Sequence, residues 1–371
     1  MTSSNNPPPA LRSRLFRTVF YTAYLLIVVF ICLEIILRIY YPFPTRIRGD
    51  RFELSTNTTF RIRNHTFPRL DSVIINRRNS IGFRGSEPAR DMTGRLSILA
   101  VGGSTTACTY LSEGRTWTDL MEQKLSKPFP SVWINNAGID GHSTYGHYNL
   151  LRYYLPSLAF RPKIALFLVG FNDVNRRDLD SNERSYDDYP GSRIRKWALL
   201  HLETANLLFD LKNTLFPVSI LPPASEDSSG GPPLSHQEMD SAVKSQDCLL
   251  TAYRQRLYRL IDICRLSNIR PVFITQPMAV DTSSPPGKWQ LLWRELQPYN
   301  ETTRQVAREK NILCIDLAEK MPRDTAFYYD KLHYTNKGAE KVSEIICQDL
   351  SPWLGTNFPE LRPKPGPAVN R

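Results

Sequence analysis

The chain has 371 residues, of which 41% are hydrophobic, and this length suffices for one α/β core of ordinary size with additional segments. Its formal net charge is +11, but the lysines and arginines are scattered. This pattern argues against a nucleic-acid-binding protein and weakly favours attraction to anionic surfaces such as lipid headgroups or acidic glycans. The six cysteines lack the spacing of metal ligands, so no metal or other cofactor is expected, and their disulfide state is left open.

The N-terminal part of the chain predicts a membrane anchor. Residues 1–18 are polar and basic and indicate a disordered segment, and residues 19–41 are predicted to be transmembrane. The stretch from Val19 to Leu37 is interrupted only by Thr22 and Glu34, and about twenty apolar residues are needed to cross the hydrocarbon core. No small-residue cleavage site follows, which favours an uncleaved anchor over a removed signal peptide. The alternative is a buried helix of a soluble protein.

Charge near the apolar stretch does not decide its orientation. Three arginines precede it and four follow, so the positive-inside bias does not decide; they are Arg12, Arg14 and Arg17 before the stretch and Arg38, Arg46, Arg48 and Arg51 after it. Glu34 lies near one end, where its carboxylate is expected to reach the headgroups rather than a buried partner.

Residues 42–94 form a juxtamembrane segment in which polar and apolar positions alternate around Phe60–Ile62 and Val73–Ile75. Within it, the run Asn79–Gly85 is expected either to line a cleft or to cover the sheet, and the sequence does not choose between the two.

Four apolar, β-branched runs predict strands of a parallel sheet, and each is followed by residues of types that can take part in catalysis. Because the carboxyl ends of parallel strands meet at one edge, the four following loops are expected to converge on one crevice. The runs and their following residues are Leu96–Val101 with Gly102, Gly103 and Ser104; Ser131–Asn136 with Gly138, Gly141 and His142; Lys163–Val169 with Gly170, Asn172 and Asp173; and Asn311–Asp316 with Asp330 and His333 after a short loop.

These residue types fit nucleophilic catalysis. A serine hydroxyl such as that of Ser104 is a weak nucleophile, so it needs a base within hydrogen-bond reach and donors aimed at the developing oxyanion. His333 is a candidate base, and Asp330, three residues earlier, is placed to fix its tautomer. Asn172 offers a neutral N–H donor, and Gly141 lets the backbone come close to a substrate.

Each piece also has an ordinary structural interpretation. The glycines before Ser104 are compatible with a simple βα turn or a phosphate cradle, although the Walker lysine and the third glycine of a dinucleotide motif are absent. Asp330 and His333 alone are compatible with a helix N-cap and a surface histidine. The joint occurrence of the pieces in order at strand ends favours the catalytic interpretation. We expect His142 and His147 to face the substrate or the surface rather than to act as the general base.

The four blocks resemble those of the SGNH or GDSL-type hydrolase superfamily, in family order, over about residues 95–350, and the Gly-Gly-Ser-Thr-Thr form is similar to that of membrane-anchored bacterial members. The resemblance implies that Ser104 attacks an ester carbonyl, that His333 accepts its proton and that Asp330 holds the histidine. It also implies an oxyanion hole formed by Ser104 N–H, Gly141 N–H and the side-chain amide of Asn172.

The chain departs from the family pattern at one position and leaves a second open. Gly103 precedes the serine where the GDS form has an aspartate. Gly138 competes with Gly141 for the donor role, and the spacing from Asn136 favours Gly141.

The resemblance implies a flavodoxin-like, three-layer α/β/α fold with a five-stranded parallel sheet, placed at residues 95–351. An insertion at residues 174–240 is either a lid or a mobile surface loop, and residues 352–371 are expected to form a proline-rich tail. The implied function is membrane-anchored, extracytoplasmic hydrolysis of O-acyl, especially acetyl, esters of carbohydrates or lipids. The alternatives are O-acyl transfer to glycans through the same acyl-serine intermediate and a non-catalytic, membrane-anchored binding protein.

Overall fold

The structure is a computed structural model, and the chain divides into two compact units. One unit comprises Met1–Thr45 and Asp188–Phe216, and the other comprises Arg46–Asp187 and Pro217–Arg371. The structure describes residues 9–40, 47–49, 52–54, 56–176, 197–198, 202–205, 207–208, 211, 219–220, 235–280 and 287–363.

The first unit contains a long apolar helix, α1 (Pro9–Ile39), which begins well before the predicted start at residue 19. Phe16–Ile39 is long and apolar enough to cross a membrane, and only 6% of its most apolar window is buried by protein. Length and composition alone do not distinguish a membrane span from a signal sequence.

The expectation that Glu34 would reach the headgroups rather than a buried protein partner is wrong in one respect, because the side chain has a protein partner. Its carboxylate accepts hydrogen bonds from the backbone N–H groups of Glu203 and Thr204 and from the Thr204 hydroxyl, each at 3.0 Å. The guanidinium group of Arg38, one turn later, also donates to Glu34 Oε1, from Nε and Nη2 at 3.0 Å each. The carboxylate therefore has protein donors within its own unit, which offset the cost of removing it from water.

The second unit is built on a six-stranded sheet in the order β11-β10-β8-β6-β7-β5. The first five of these strands are parallel, and their order is that of a flavodoxin-like sheet, which confirms the predicted fold class. The sixth, β5, pairs antiparallel with β7 and adds an edge that the sequence did not predict. The strands of this sheet are β5 (Arg84–Gly85), β6 (Leu96–Gly102), β7 (Val132–Asn136), β8 (Ile164–Val169), β10 (Arg270–Thr275) and β11 (Cys314–Ile315).

Helices cover both faces of this sheet, which explains why β6, β7 and β8 are buried along their whole length. The helices are α2 (Ser104–Ala107), α3 (Trp117–Leu125), α4 (Thr144–Asn149), α5 (His236–Lys244), α6 (Asp247–Leu266), α7 (Lys288–Lys310), α8 (Leu317–Lys320) and α9 (Asn336–Asn357). The side chains of α3 and α9 pack on one face of the sheet, and those of α4, α6 and α7 pack on the other.

Four short strands and β9 form two small sheets. β1 (Ile47–Gly49) pairs with β2 (Phe52–Leu54), and β3 (Thr59–Arg63) lies between β4 (Val73–Arg77) and β9 (Ser219–Ile220). Much of the predicted juxtamembrane segment therefore belongs to the second unit.

The run Asn79–Gly85 extends the main sheet through β5 rather than lining the cavity beside Ser104. At the other end of the chain, α9 continues to Asn357, past residue 352, where the tail was predicted to begin. The lid or surface loop predicted at residues 174–240 lies mostly outside the described residues, as do residues 1–8 and 364–371.

Candidate active site

Ser104 is the first residue of α2, directly after β6. The two positions before it have no room for a Cβ atom. A Cβ on Gly102 would come within 2.1 Å of the Thr106 hydroxyl, and a Cβ on Gly103 would come within 2.2 Å of the Asn172 amide nitrogen. The two glycines thus allow β6 to end tightly against its neighbours and leave the Ser104 side chain partly exposed.

Ser104, His333 and Asp330 form a continuous hydrogen-bonded chain. His333 Nε2 lies 2.8 Å from Ser104 Oγ, although the two residues are 229 positions apart. His333 Nδ1 lies 2.7 Å from Asp330 Oδ2. The other carboxylate oxygen of Asp330 accepts the N–H groups of Leu332 at 2.7 Å and of His333 at 2.6 Å. The carboxylate is therefore held at both oxygens, and the imidazole faces the serine.

The environment keeps Asp330 charged. Burial raises the pKa of this carboxyl group. The hydrogen bonds and charge of His333 and the N–H group of Leu332 lower the pKa by more than burial raises it, so the net pKa lies below its usual value. The Tyr329 ring stacks on the imidazole at 5.5 Å between centroids and 10° between planes. Both contacts limit the orientations that the His333 ring can adopt.

Asn172 lies in a short 3₁₀ turn after β8, next to the serine turn. Its Nδ2 donates to the His142 carbonyl oxygen at 2.9 Å, which fixes the amide plane and uses one of its two N–H groups. The amide group also lies against Gly103. The second N–H group is the one available to a substrate oxygen.

The two candidate glycines differ in their surroundings. The Gly138 N–H group donates to Asn136 Oδ1 at 2.9 Å, and a Cβ there would meet Ala107 N at 2.2 Å, so Gly138 is committed to packing behind the serine turn. Gly141 has a φ of +76° and open space at its Cβ position. Gly141 does not line the cavity beside Ser104, whereas the next residue, His142, does.

That cavity is small and opens to solvent. Polar side chains from several loops line it together with the apolar residues Leu168, Val169, Phe171 and Leu332. The polar lining residues besides Ser104 and Asn172 are Thr105, His142, His147, Asp173 and Gln276.

A model of the GDSL-like lipase/acylhydrolase family matches residues 100–341, a range that includes the serine, asparagine, aspartate and histidine described above. The chain belongs to this family. As a GDSL-like acylhydrolase it is an enzyme that hydrolyses esters. No curated protein matches the chain.

Several solved structures resemble this GDSL-like hydrolase. A catalytic mutant of the acetylxylan esterase Axe2 from Geobacillus stearothermophilus is 13% identical, with 70% of this chain and 96% of that chain covered and a TM-score of 0.42. The α/β hydrolase LAE5 from the metagenome of Lake Arreo is 14% identical, with 69% and 96% covered and a TM-score of 0.42. The esterase EstA from Pseudoalteromonas sp. is 15% identical, with 70% and 99% covered and a TM-score of 0.40.

A buried ion pair that the sequence did not predict fixes the asparagine turn of this GDSL-like hydrolase. Asp173 accepts Arg256 Nη2 at 2.9 Å and the Thr144 hydroxyl at 2.6 Å, and Arg256 Nε donates to the same hydroxyl at 2.8 Å. Asp173 and Arg256 are both buried. The network joins the turn that carries Asn172 to the first residue of α4. Asp173 was visible as the neighbour of Asn172, but nothing in the sequence around Arg256 signalled its partner.

Gln276 is a second lining residue that the sequence did not single out. It follows β10, a strand that carries no recognisable motif, and its Oε1 accepts the Thr105 hydroxyl at 2.9 Å. The neighbouring Thr105 carbonyl oxygen accepts the Trp117 indole N–H at 3.1 Å. Both contacts hold the residue immediately after the serine.

The surface role considered for His142 and His147 is wrong, because their exposed fractions are only 4% and 2%. Burial, with a contribution from Arg176, lowers the pKa of His142 to about 3. Burial also lowers the pKa of His147 well below its usual value, with a contribution from His142. Both rings are therefore neutral near pH 7 and line the cavity as uncharged polar groups.

Proposed function

We propose that the chain is a membrane-anchored serine esterase in which Ser104 is the nucleophile, His333 the general base and Asp330 the residue that orients the base. The single observation that carries this proposal is the continuous hydrogen-bonded chain from Asp330 through His333 to Ser104. A serine needs such a base within hydrogen-bond reach, and the base needs a partner on its other ring nitrogen.

In the acylation step, Ser104 Oγ attacks the ester carbonyl carbon while His333 Nε2 takes the hydroxyl proton. The tetrahedral intermediate collapses, the bond to the alcohol oxygen breaks, and the imidazolium delivers the proton to the leaving alcohol. Water then attacks the acyl-serine with His333 again as base, which releases the carboxylic acid and restores the serine. Asp330 stabilises the imidazolium formed in both steps without taking its proton.

The carbonyl oxygen becomes negatively charged in each tetrahedral intermediate and needs donors. We assign this role to the N–H group of Ser104 and the side-chain amide of Asn172; the family resemblance gives the third donor as the N–H group of Gly141, which directly precedes the lining residue His142. Asn172 has the strongest support, because its amide is fixed by the His142 carbonyl oxygen beside the serine turn. Preorganised donors of this kind contribute about 10²- to 10³-fold in kcat each.

The proposed substrates are esters of small acyl groups, foremost acetyl, on carbohydrates or lipids. The accessible wall of the cavity beside Ser104 is small and mainly polar, so a long acyl chain would bury little apolar surface there. We further propose that Phe16–Ile39 spans the membrane, as its length, composition and exposure support. The resemblance to membrane-anchored members of the superfamily favours an extracytoplasmic hydrolase unit.

Steady-state kinetics on the full-length protein in detergent tests the proposal. Ser104→Ala and His333→Ala are each expected to lower kcat/KM for p-nitrophenyl acetate by more than about 10³-fold with an unchanged circular dichroism spectrum. Ser126→Ala and His65→Ala change exposed residues of the same types and are the matched controls, expected to retain full activity. Normal turnover by either active-site variant would overturn the assignment of the catalytic residues. Faster turnover of p-nitrophenyl octanoate than of p-nitrophenyl acetate by the wild-type protein would overturn the proposal that the substrates carry small acyl groups.

A further inference from the structure

The N-terminal helix is covered by protein at only one place. Among its described side chains, only Glu34 and Leu37 are buried, and they lie one turn apart on the same side. Glu34 is five residues before the helix end at Ile39, which corresponds to about 7.5 Å along the axis at 1.5 Å per residue. If α1 spans a membrane, Glu34 lies where the hydrocarbon gives way to the headgroups.

The residues that cover this place come from the distant part of the same unit. The Glu34 carboxylate accepts the N–H groups of Glu203 and Thr204 and the Thr204 hydroxyl, each at 3.0 Å. A carboxylate at this depth is costly without donors, and charge-assisted hydrogen bonds are the stronger kind. The contact therefore fixes residues 203–204 against the end of α1, at the depth of Glu34.

The same segment exposes large apolar side chains. Trp197, Leu208 and Leu211 are 55%, 66% and 46% exposed. Three basic residues immediately precede or lie near Trp197 in the sequence, namely Arg193, Arg195 and Lys196. Tryptophan and leucine next to a cluster of positive charge are typical of elements that lie in a membrane interface, where the rings and alkyl groups enter the acyl region and the charges meet anionic headgroups.

We propose that the described residues between 197 and 211 form a second membrane-contacting element, which lies in the bilayer interface and is held to α1 by the hydrogen bonds of Glu34. The occupant of its exposed apolar surface is the lipid bilayer, because that surface belongs to the same compact unit as the apolar helix and is fixed at its end. This inference rests on the proposed membrane anchor. It makes the described residues between 197 and 211 a lipid-facing part of the enzyme rather than part of a solvent-exposed lid.

Tryptophan quenching by brominated lipid tests this location directly. The chain has six tryptophans, α1 contains none of them, and Trp197 is the one in the α1 unit. The full-length protein would be reconstituted into vesicles of phosphatidylcholine and phosphatidylglycerol, with and without bromine on the phosphatidylcholine acyl chains near the headgroup. The wild-type protein and the matched variant Trp353→Phe are expected to lose fluorescence in brominated vesicles, whereas Trp197→Phe is expected to lose the lipid-dependent quenching.

Equal quenching of wild type and Trp197→Phe would overturn the inference. So would the absence of quenching in both proteins while they stay bound to the vesicles after a carbonate wash. Leu208 replaced by a photoreactive benzoylphenylalanine is a second arm: an adduct with lipid supports the inference, and an adduct with a second copy of the chain overturns it. Release of the protein from membranes by carbonate would refute the anchor itself. p-Nitrophenyl acetate turnover, measured on every variant, reports separately on the esterase function and confirms folding.

Discussion

At the scale of single residues, the contacts of Ser104, His333 and Asp330 define what each atom can do. The distance of 2.8 Å from Ser104 Oγ to His333 Nε2 is suitable for proton transfer without rearrangement. On the other side of the ring, Asp330 is held by two backbone N–H groups and has a pKa below its usual value, so it accepts a hydrogen bond from the Nδ1–H group without taking the proton. The ring is consequently held in the tautomer that leaves Nε2 free to act as a base.

Replacement of Asp330 by asparagine is expected to lower kcat by about 10²- to 10⁴-fold, because an amide can stabilise the wrong tautomer and cannot balance the imidazolium charge. KM should change little, since Asp330 does not line the cavity. Asp262→Asn changes an exposed aspartate on α6 and serves as the control. Pre-steady-state and steady-state rates with p-nitrophenyl acetate measure the effect, and a kcat equal to wild type would contradict the assigned role.

Gly103 offers a second test, because the family pattern has aspartate where this chain has glycine. A Cβ at position 103 would lie 2.2 Å from Asn172 Nδ2, so Gly103→Ala must displace the amide that we assign to the oxyanion hole. We expect kcat to fall by about 10²-fold or more, the effect of losing one oxyanion donor. Gly287→Ala, where a Cβ meets only an ordinary contact at 3.5 Å, is the matched control. Full activity of Gly103→Ala would show that the Asn172 amide is not needed in this position.

At the scale of elements, β5 fastens the turn that follows the nucleophile. Arg84 on β5 is 1% exposed and donates at 2.7 Å to the carbonyl oxygens of Ala107 and Cys108, at the end of α2. It also donates to the Leu111 carbonyl oxygen and to Glu113, each at 2.8 Å. The short helix that begins with Ser104 is thus held from its far end by one buried guanidinium group.

Arg84→Met is expected to lower the free energy of unfolding by about 3 kcal/mol, because it leaves buried carbonyl groups and the Glu113 carboxylate without their donor. The midpoint of urea unfolding followed by tryptophan fluorescence measures the loss. Arg77→Met, on the exposed side of the neighbouring strand β4, is expected to change stability by less than about 0.5 kcal/mol. Equal midpoints for Arg84→Met and wild type would contradict the role of Arg84.

The sequence predicted the elements whose signals are local. Buried strands such as β6 and β8 read as nearly continuous apolar runs. The residues that follow Thr144 do not continue as one α-helix: after α4 the chain passes into a π-helical turn and then a 3₁₀ turn that contains Pro156, which has no N–H group for the next helical hydrogen bond.

The sequence could not predict features that depend on distant partners. The burial of Arg84 and Arg256 follows from carbonyl groups and a carboxylate that only the fold brings near them. The protein partner of Glu34 lies 170 residues away in Thr204, so an isolated apolar helix suggested headgroups instead. The commitment of Gly138 to Asn136 likewise emerged only from the hydrogen bonds of the folded loop.

At the scale of the whole molecule, two neutral histidines buried beside the site make stability depend on pH. The pKa of His142 falls from its usual 6.5 to about 3 on folding, chiefly through burial. The unfolded chain therefore binds more protons than the folded chain below about pH 6.5, and the stabilising contribution, fully present above that pH, is lost as the pH falls towards 3.

His142→Gln removes this titration. The difference in the free energy of unfolding between wild type and this variant is expected to shift by about 2 kcal/mol against the wild type between pH 8 and pH 5. Urea midpoints at the two pH values measure the shift, and the exposed residue variant His65→Gln should show no comparable change. A difference between wild type and His142→Gln that is independent of pH would contradict the buried, neutral state.

Covalent labelling of the full-length protein with a fluorophosphonate, followed by peptide mapping, determines directly whether Ser104 is the nucleophile. A nucleophilic serine paired with a histidine reacts with such a probe, whereas an ordinary serine does not. We predict one adduct per chain, on Ser104, which is absent in Ser104→Ala and forms far more slowly in His333→Ala. An adduct on a different serine, or no adduct on a folded protein that still hydrolyses p-nitrophenyl acetate, would contradict the account.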